Sequence, residues 1–215
     1  MRRPNFGTIA AVDPAQREEL EREIAANCAA GEFSAATTVA IKGYGPEILG
    51  YLFAATRREQ DTADIFSEYC ENVWRGIPAF RGESSFRTWS YRLAYHALAR
   101  IARSGARRGK REVAMAEIPE VEALIDHVRT RTLPHMRTEV KQEVARLRES
   151  LDEDDRTLLI LRVDRGLAWE EIATIVDPDA LDAESCKRIS AALRKRFGRI
   201  KVKLRELSKG LVFDD

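Results

Sequence analysis

The sequence has few of the residues that build metal sites, disulfides and many catalytic centres. Its 215 residues include three cysteines and three histidines. Cys28, Cys70 and Cys186 are far apart and lack the Cys-x-x-Cys spacing of a metal-ligand pair. Their odd number also argues against the disulfide framework of a small secreted protein. We therefore expect buried thiols that act as small apolar side chains, and no metal or other cofactor.

The sequence also lacks a long apolar run and a phosphate-binding loop. No stretch of about 18 apolar residues is available to span a membrane, and the first residues lack the apolar core of a signal peptide. His96, His127 and His135 are scattered, without the spacing of a triad or a metal site. No glycine-rich loop that could cradle a phosphate occurs. These absences argue against an enzyme such as a nucleic-acid hydrolase and predict a cytoplasmic protein.

Charge is abundant but balanced, and its segregation along the chain is more informative than its sum. Charged residues make up 33% of the chain, yet the formal net charge is only +1. Residues 61–74 have apolar side chains at the three-and-four spacing of an amphipathic helix, with Asp61 as the predicted N-cap. The opposite face is acidic and polar and carries Asp64, Ser67, Glu68, Glu71 and Asn72.

A basic, aromatic helix is predicted to follow from about residue 85 to 103, after a break at residues 76–78. No acidic residue occurs between Ser84 and Arg111, a stretch that is rich in arginine. Basic side chains neutralise phosphates, and flat aromatic rings stack on unpaired bases. The alternative is that both charged faces are simply solvated and the aromatic rings form the core. The interleaved rings are Phe86, Trp89, Tyr91 and Tyr95.

Helical patterns account for the rest of the N-terminal half. Asp13-Pro14 is a typical helix start, and a helix is predicted over residues 14–29. A second helix is predicted over about 34–42, where the following Gly43-Tyr44-Gly45 is expected to break it and Pro46 to open a third. We therefore predict an N-terminal extension at 1–32 and an all-helical domain at 33–104.

A linker is predicted at residues 105–148, with a short helix from Pro119 to about 131 and a charged one over about 136–149. The C-terminal part, 149–210, reads as helix, short helix, turn and long basic helix. Asp152 should cap the first helix and Gly166 should end it. This order is typical of a helix-turn-helix domain, whose last helix enters the major groove of DNA. The short helix is predicted over 168–176 and the last over about 184–208, with Leu193, Phe197, Ile200, Leu204 and Leu207 as its apolar stripe.

Two stretches resemble region 2 of RNA polymerase sigma factors of the extracytoplasmic-function (ECF) class. Residues 61–74 match the family's acidic helix without a gap, with Ser67 where the family has Gln. Residues 83–94 match the family's pattern around Phe86-Arg87-Thr88-Trp89, after which Tyr95-His96 replaces an Arg-Asn pair. The resemblance implies that the acidic helix docks on the clamp coiled coil of core RNA polymerase. The implied docking residues are Asp61, Asp64, Glu68 and Asn72.

A third stretch, residues 151–176, resembles region 4 of the same class at positions that include Arg156, Arg162, Gly166 and Trp169. The turn that follows, residues 177–185, is longer than the family's and acidic. Either this turn is an extended loop or the recognition helix starts late.

The resemblance implies an all-α fold of two small helical domains, a region 2 bundle and a region 4 helix-turn-helix, joined by a linker that threads through the polymerase. It implies a non-catalytic transcription initiation factor whose partners are core RNA polymerase and promoter DNA. Factors of this class are often held by an anti-sigma factor. The implied −10 contacts are Phe80, Arg81, Ser84, Ser85, Arg87, Trp89, Arg92, His96 and Arg100. The implied −35 contacts are Lys187, Arg188, Ser190, Arg194, Lys195, Arg196 and Arg199.

The alternative function is that of a conventional helix-turn-helix transcriptional regulator, which never contacts core polymerase. The acidic helix and the long linker argue against this alternative, because such a regulator needs neither. Binding to core polymerase separates the two functions.

Overall fold

The computed structural model describes residues 12–104, 123, 125–129, 150–180 and 182–209. All secondary structure in these residues is helical, which confirms the predicted all-α fold. The chain divides into two compact units, whose described residues lie within 12–129 and 150–209. Among the described helices, none combines the length and the apolar character that crossing a membrane requires.

Between residues 12 and 104, the N-terminal unit contains the α-helices Pro14–Ala29 (α1), Phe33–Thr56 (α2), Glu59–Gly76 (α3) and Phe86–Ser104 (α4). α2 packs against each of the other three. More than half of its residues are buried, on several faces, as expected for a helix that is apolar nearly all round. A short 3₁₀ turn, Ile77–Ala79, follows α3 and leads to the loop before α4.

α2 is one continuous helix, so the predicted break at residues 43–45 and the separate helix from Pro46 are wrong. The reason is tertiary packing. A Cβ added at Gly43 would lie 2.6 Å from Cδ2 of Leu20, and one at Gly45 would lie 3.3 Å from Cγ1 of Val128. The two glycines therefore let neighbouring side chains approach α2 closely, and burial of the helix outweighs the hydrogen bond that Pro46 cannot donate.

The bounds of α1 agree with the prediction, whereas α3 begins earlier than predicted. α1 spans Pro14–Ala29, with Asp13 Oδ1 accepting a hydrogen bond from the Ala15 amide at 3.0 Å. α3 begins at Glu59, and its N-cap is Arg58 rather than Asp61. The cause is Arg57, whose left-handed backbone (φ 59°) ends α2 and turns the chain sharply.

The C-terminal unit contains Glu153–Leu159 (α5), which continues into a π-helical turn at Ile160–Asp164, followed by Trp169–Val176 (α6) and Ala183–Lys209 (α7). α7 packs against both α5 and α6. Asp152 Oδ1 accepts from the Asp155 amide at 2.8 Å, which confirms the predicted cap of α5.

Of the two alternatives for the turn before the last helix, the extended loop is the correct one. Residues 177–182 connect α6 to α7, which starts at Ala183. Asp182 caps α7, because its Oδ1 accepts from the amides of Glu184 and Ser185, each at 2.9 Å.

The predicted linker, 105–148, lies outside the described residues except for residue 123 and residues 125–129, which are helical. Ile125 and Val128 are almost fully buried. Because Val128 lies against Gly45 of α2, this short segment packs onto the N-terminal unit. The predicted helix over 136–149 lies wholly outside the described residues.

Candidate functional site

The acidic face of α3 exposes one carboxylate clearly. Asp64 is exposed and accepts a hydrogen bond from Gln60 Nε2 at 3.3 Å. Asp61 lies in the first turn, partly buried, with Oδ2 3.1 Å from Nη1 of Arg58. Asn72 is half-buried on the same side of the helix, two turns beyond Asp64. The face therefore offers negative charge centred on Asp64.

Glu68 does not belong to that exposed face, which corrects its predicted position. Its side chain is only 8% exposed, and its carboxylate forms an ion pair with Arg100 of α4. The pair joins α3 to α4, so the charge of Glu68 is neutralised within the unit. Arg100 is 46% exposed and keeps part of its guanidinium towards solvent.

The loop at residues 80–85 is the most exposed part of the predicted −10 site. Arg81, Ser84 and Ser85 are all exposed, and Gly82 has a left-handed backbone (φ 69°) that favours glycine. Ser85 also caps α4, since its Oγ accepts from the Thr88 amide at 3.1 Å. The loop thus carries polar side chains on a turn whose end is tied to the helix start.

An aromatic cluster of Phe80, Phe86 and Trp89 supports this loop. The ring centroids lie 5.1 to 5.3 Å apart in each of the three pairs. Phe86 is buried, while Phe80 and Trp89 keep part of their surface exposed. The Trp89 ring packs on Gly76, where an added Cβ would come within 2.9 Å of Cζ2. Trp89 is therefore both anchored and partly available for stacking.

Arg87 lies inside the N-terminal unit, so the prediction that it contacts DNA is wrong. The side chain is 3% exposed, and its Nε donates to Glu47 Oε1 at 3.0 Å. Tyr91 donates its hydroxyl to the same oxygen at 2.8 Å. Glu47 needs these partners because a buried carboxylate is costly without a cation. The sequence feature that could have indicated the burial of Arg87 is Glu47, a single carboxylate inside the apolar run of α2.

Two further predicted −10 residues lie farther along α4. Arg92 is half-buried and forms no ion pair with another described residue. His96 is exposed, with its ring 5.8 Å from that of Tyr95. The two residues are four apart in sequence and therefore lie on the same side of α4.

Glu21 was missed by the sequence analysis, although it contacts the start of α4. Its Oε2 accepts from the Phe86 amide at 2.7 Å, and its Oε1 accepts from the Arg87 amide at 2.9 Å and from the Tyr44 hydroxyl at 2.7 Å. Burial, assisted by the nearby carboxylate, raises the pKa of Tyr44. The residues around Glu21 in the sequence do not indicate a contact with Phe86, which is 65 residues away. The one indication is that α4 has no acidic residue in its own first turn.

The exposed face of α7 is basic. Lys187, Arg188, Lys195 and Arg199 are exposed, and none forms an ion pair with another described residue. Arg194 is also exposed, but its Nη2 donates to Glu170 Oε1 at 2.9 Å. Its guanidinium lies 5.9 Å from the centre of the Trp169 ring. α7 therefore presents several exposed cations without an ion pair to another described residue, Lys201 and Lys203 among them, and one, Arg194, that is held against α6.

Two predicted −35 residues point elsewhere, which corrects those assignments. Ser190 is fully buried, because it lies on the face of α7 that packs into the unit. Arg196 is held by the three aspartates at the start of α5, with Nη2 3.1 Å from Asp152 and Nη1 3.4 Å from Asp154. The third partner is Asp155. Arg196 thus joins two helices of the unit instead of extending towards DNA.

The cysteines are free, and only Cys70 is fully buried; Cys28 and Cys186 are half-buried, contrary to the prediction for them. Burial raises the pKa of the Cys70 thiol. In the described ranges, no three His, Cys, Asp or Glu side chains are placed to hold a metal ion.

Comparisons with known proteins connect both halves of the chain to one family. A family model described as Sigma-70 region 2 matches residues 40–108, which include α3 and α4. The ECF RNA polymerase sigma-E factor of Haemophilus influenzae is 31% identical over 140 residues, covering 64% of this chain and 74% of that protein. The RNA polymerase sigma-H factor of Pseudomonas aeruginosa is 28% identical over 162 residues, covering 74% and 83%. The RNA polymerase sigma factor YlaC of Bacillus subtilis is 31% identical over 134 residues, covering 62% and 75%.

Proposed function

This chain belongs to the extracytoplasmic-function class of the sigma-70 family, and we propose from that membership that it directs core RNA polymerase to particular promoters. It is a transcription initiation factor by family. The finer proposal is that it docks on the polymerase, captures unpaired bases of the −10 element and binds the −35 element. It needs no catalytic group of its own for these steps.

The observation that carries the proposal is the separation of charge between an acidic docking face and basic DNA-binding faces. The exposed carboxylate of Asp64 on α3 is suited to a basic surface such as the polymerase clamp coiled coil. Asp61 and Asn72 flank it on the same side. Glu68 supports the face from beneath, through its ion pair with Arg100.

Capture of the −10 element is assigned to the loop at residues 80–85 and the exposed side of α4. The partly exposed ring of Trp89 offers a stacking surface, while Arg81 and Arg92 offer cations for phosphates. Unstacking a base costs a few kcal/mol, roughly, and stacking and hydrogen bonds in a pocket recover it. Ser84 and His96 add exposed polar groups for base edges.

Binding of the −35 element is assigned to α7. In a helix-turn-helix domain the last helix enters the major groove, and here that helix carries Lys187, Arg188, Lys195 and Arg199 on its exposed face. Arg194 joins them with its position set by Glu170 and Trp169. The first two lie near the N-terminal end of α7, the end that usually reaches base edges in this kind of domain.

The test is binding of the purified chain to core RNA polymerase, with Asp64→Lys as the diagnostic variant. We expect the wild type to bind and Asp64→Lys to bind at least about tenfold more weakly, because a reversed charge meets a basic partner surface. Glu18→Lys is the matched control: Glu18 is exposed on α1 and makes no side-chain hydrogen bond or ion pair with another described residue. Glu68→Lys is less suited, since it also breaks the pair with Arg100.

One outcome would contradict the docking proposal: the wild type binds duplex DNA but has no affinity for core polymerase. A conventional helix-turn-helix regulator then takes its place.

A further inference from the structure

We propose that Glu21 of α1 is a positioning residue for capture of the −10 element. Its carboxylate fixes the start of α4 and, through it, the loop at residues 80–85. The inference rests on the proposed function, because it concerns the geometry of the loop that would receive the unpaired bases.

The contact is specific to the first residues of α4. Each carboxylate oxygen of Glu21 accepts one backbone amide, Oε2 from Phe86 at 2.7 Å and Oε1 from Arg87 at 2.9 Å. The Tyr44 hydroxyl donates to Oε1 at 2.7 Å and so orients the carboxylate from α2. One side chain of α1 thereby bridges two other helices.

Helix geometry explains why a carboxylate is needed there. The first amides of an α-helix have no partner within the helix, and the positive end of its dipole favours negative charge. α4 has no acidic residue in its own first turn. The Ser85 hydroxyl accepts from the Thr88 amide, whereas the amides of Phe86 and Arg87 donate to Glu21. The cap of α4 is therefore shared between the loop and α1.

The loop is held at both of its ends. At its upstream end, the Phe80 ring packs on Phe86 and Trp89. At its downstream end, the chain enters α4 at the two amides that Glu21 holds. Between these anchors the side chains are exposed, so neighbouring packing does little to fix them. Loss of the downstream anchor would shift Ser84, Ser85 and Trp89 relative to one another.

α1 is rigid enough to act as this anchor. Ile24 is fully buried one turn beyond Glu21, and the Leu20 side chain fits against Gly43 of α2. These contacts hold the backbone of α1, so that the position of the Glu21 carboxylate is set by packing.

The experiment compares substitutions in the full chain, assembled with core polymerase. The probe is a single-stranded oligonucleotide that the wild-type holoenzyme selects from a random pool. We expect Glu21→Gln to bind it about tenfold more weakly, because Gln has one acceptor oxygen and no charge. Core affinity should be unchanged, and the amides of Phe86 and Arg87 should exchange hydrogen faster. Glu21→Asp, which keeps the charge but cannot span both amides, should show a smaller loss.

Two controls separate positioning from stability. Glu18→Gln removes an exposed charge from α1 and should change nothing. Ile65→Val removes a buried methylene from α3 and leaves α1 and the cap unaltered, so it should lower the melting temperature yet leave binding of the oligonucleotide unchanged. Equal loss of binding in Ile65→Val and Glu21→Gln would mean that Glu21 acts through stability alone, and the inference would be overturned.

The remaining outcomes distinguish this inference from the proposed function. If the wild-type holoenzyme selects an oligonucleotide and Arg92→Ala weakens its binding, the proposed −10 face stands. Wild-type affinity in Glu21→Gln under those conditions overturns the role of Glu21 alone. If the wild type binds neither core nor oligonucleotide, both fail. Should Glu21→Gln not fold, Glu21→Asp decides between the same outcomes.

Discussion

Arginines of α4 differ in their burial, and their contacts differ accordingly. Arg87 and Arg92 are five residues apart on α4, so they lie on different faces of the helix. Arg87 is enclosed with Glu47, whereas Arg92 forms no ion pair with another described residue. Arginine in this helix therefore either neutralises a buried carboxylate or, like Arg92, has no ion pair with another described residue.

At this scale the first prediction concerns Arg87→Ala. It should lower the free energy of unfolding by about 3–5 kcal/mol, because the Glu47 carboxylate would stay buried without its cation. Arg92→Ala should change it by less than about 0.5 kcal/mol. Urea unfolding followed by circular dichroism measures both. Equal destabilisation by the two variants would contradict the internal role of Arg87.

At the scale of helices, glycine has opposite consequences at two positions. Gly198 lies inside α7 with no atom within 4 Å of an added Cβ, so it weakens the helix without a packing reason. Gly76 ends α3 against the Trp89 ring, which is itself held by Phe80 and Phe86. The surroundings of each glycine, not its residue type, decide the effect of a methyl group.

The second prediction pairs these two positions. Gly198→Ala should raise the free energy of unfolding by about 0.5–1 kcal/mol through helix propensity. Gly76→Ala should lower it by about 1–3 kcal/mol, since the added methyl meets the Trp89 ring, which also packs on Phe80 and Phe86. Unfolding midpoints in urea check both signs. A destabilised Gly198→Ala would show that α7 does not tolerate a side chain there.

The cap of α5 predicts a pH dependence. The hydrogen bond from the Asp155 amide, with nearby Arg196, holds the pKa of Asp152 below its ordinary value of 3.8. A carboxyl with a lowered folded pKa stabilises the fold fully above its ordinary value, and this contribution is lost as pH falls towards the folded pKa. The start of α5 is thus one acid-labile element of the fold.

The third prediction follows from that sign. Asp152→Asn should reduce stability at about pH 6 and should flatten its decline as the pH falls from about 4 to about 3. Glu153→Gln, one residue along, is the matched control, because it removes a similar charge from a side chain that does not accept the capping hydrogen bond. Urea unfolding at several pH values measures these slopes. An unchanged slope in Asp152→Asn would rule out the cap as the source.

For the molecule as a whole, the net charge of +1 conceals separate functional surfaces. Several exposed cations of α7 form no ion pair with another described residue, while Arg196 on the same helix is neutralised by three aspartates. Binding to DNA releases counterions in proportion to the phosphates that are neutralised. The slope of log K against log salt should therefore depend only on the exposed cations, and not on Arg196.

The fourth prediction uses this difference. Lys195→Ala and Arg199→Ala should each reduce the slope of log K against log salt by about 1 for duplex −35 DNA. Arg196→Ala should leave the slope unchanged and lower the melting temperature instead. Fluorescence anisotropy over a range of salt concentrations provides the slopes. A reduced slope in Arg196→Ala would show that Arg196 contacts DNA and would contradict this prediction.

The sequence predicted which helices form the candidate site, but it predicted only some of the residues that these helices expose. The exposed members Asp64 and Lys195 follow from an amphipathic pattern read on the correct face, and Arg81 follows from its place in a predicted polar loop. Glu68, Arg87 and Arg196 could not be separated from them, because each is a charged residue in a charged stretch. The proposed assignments of the exposed members to polymerase and promoter stay predictions, as do the bounds of the four predicted segments.

The sequence by itself determined the helical class, the start of α1, the cap of α5 and the family, because periodicity, caps and motifs are local properties. Tertiary structure alone decided that α2 continues through Pro46, since burial against three helices outweighs local breakers. It also decided which charges are internal: Glu47 meets Arg87, and Glu21 meets the start of α4. Such partners are far apart in the chain, and only packing of the helices brings them within hydrogen-bonding distance.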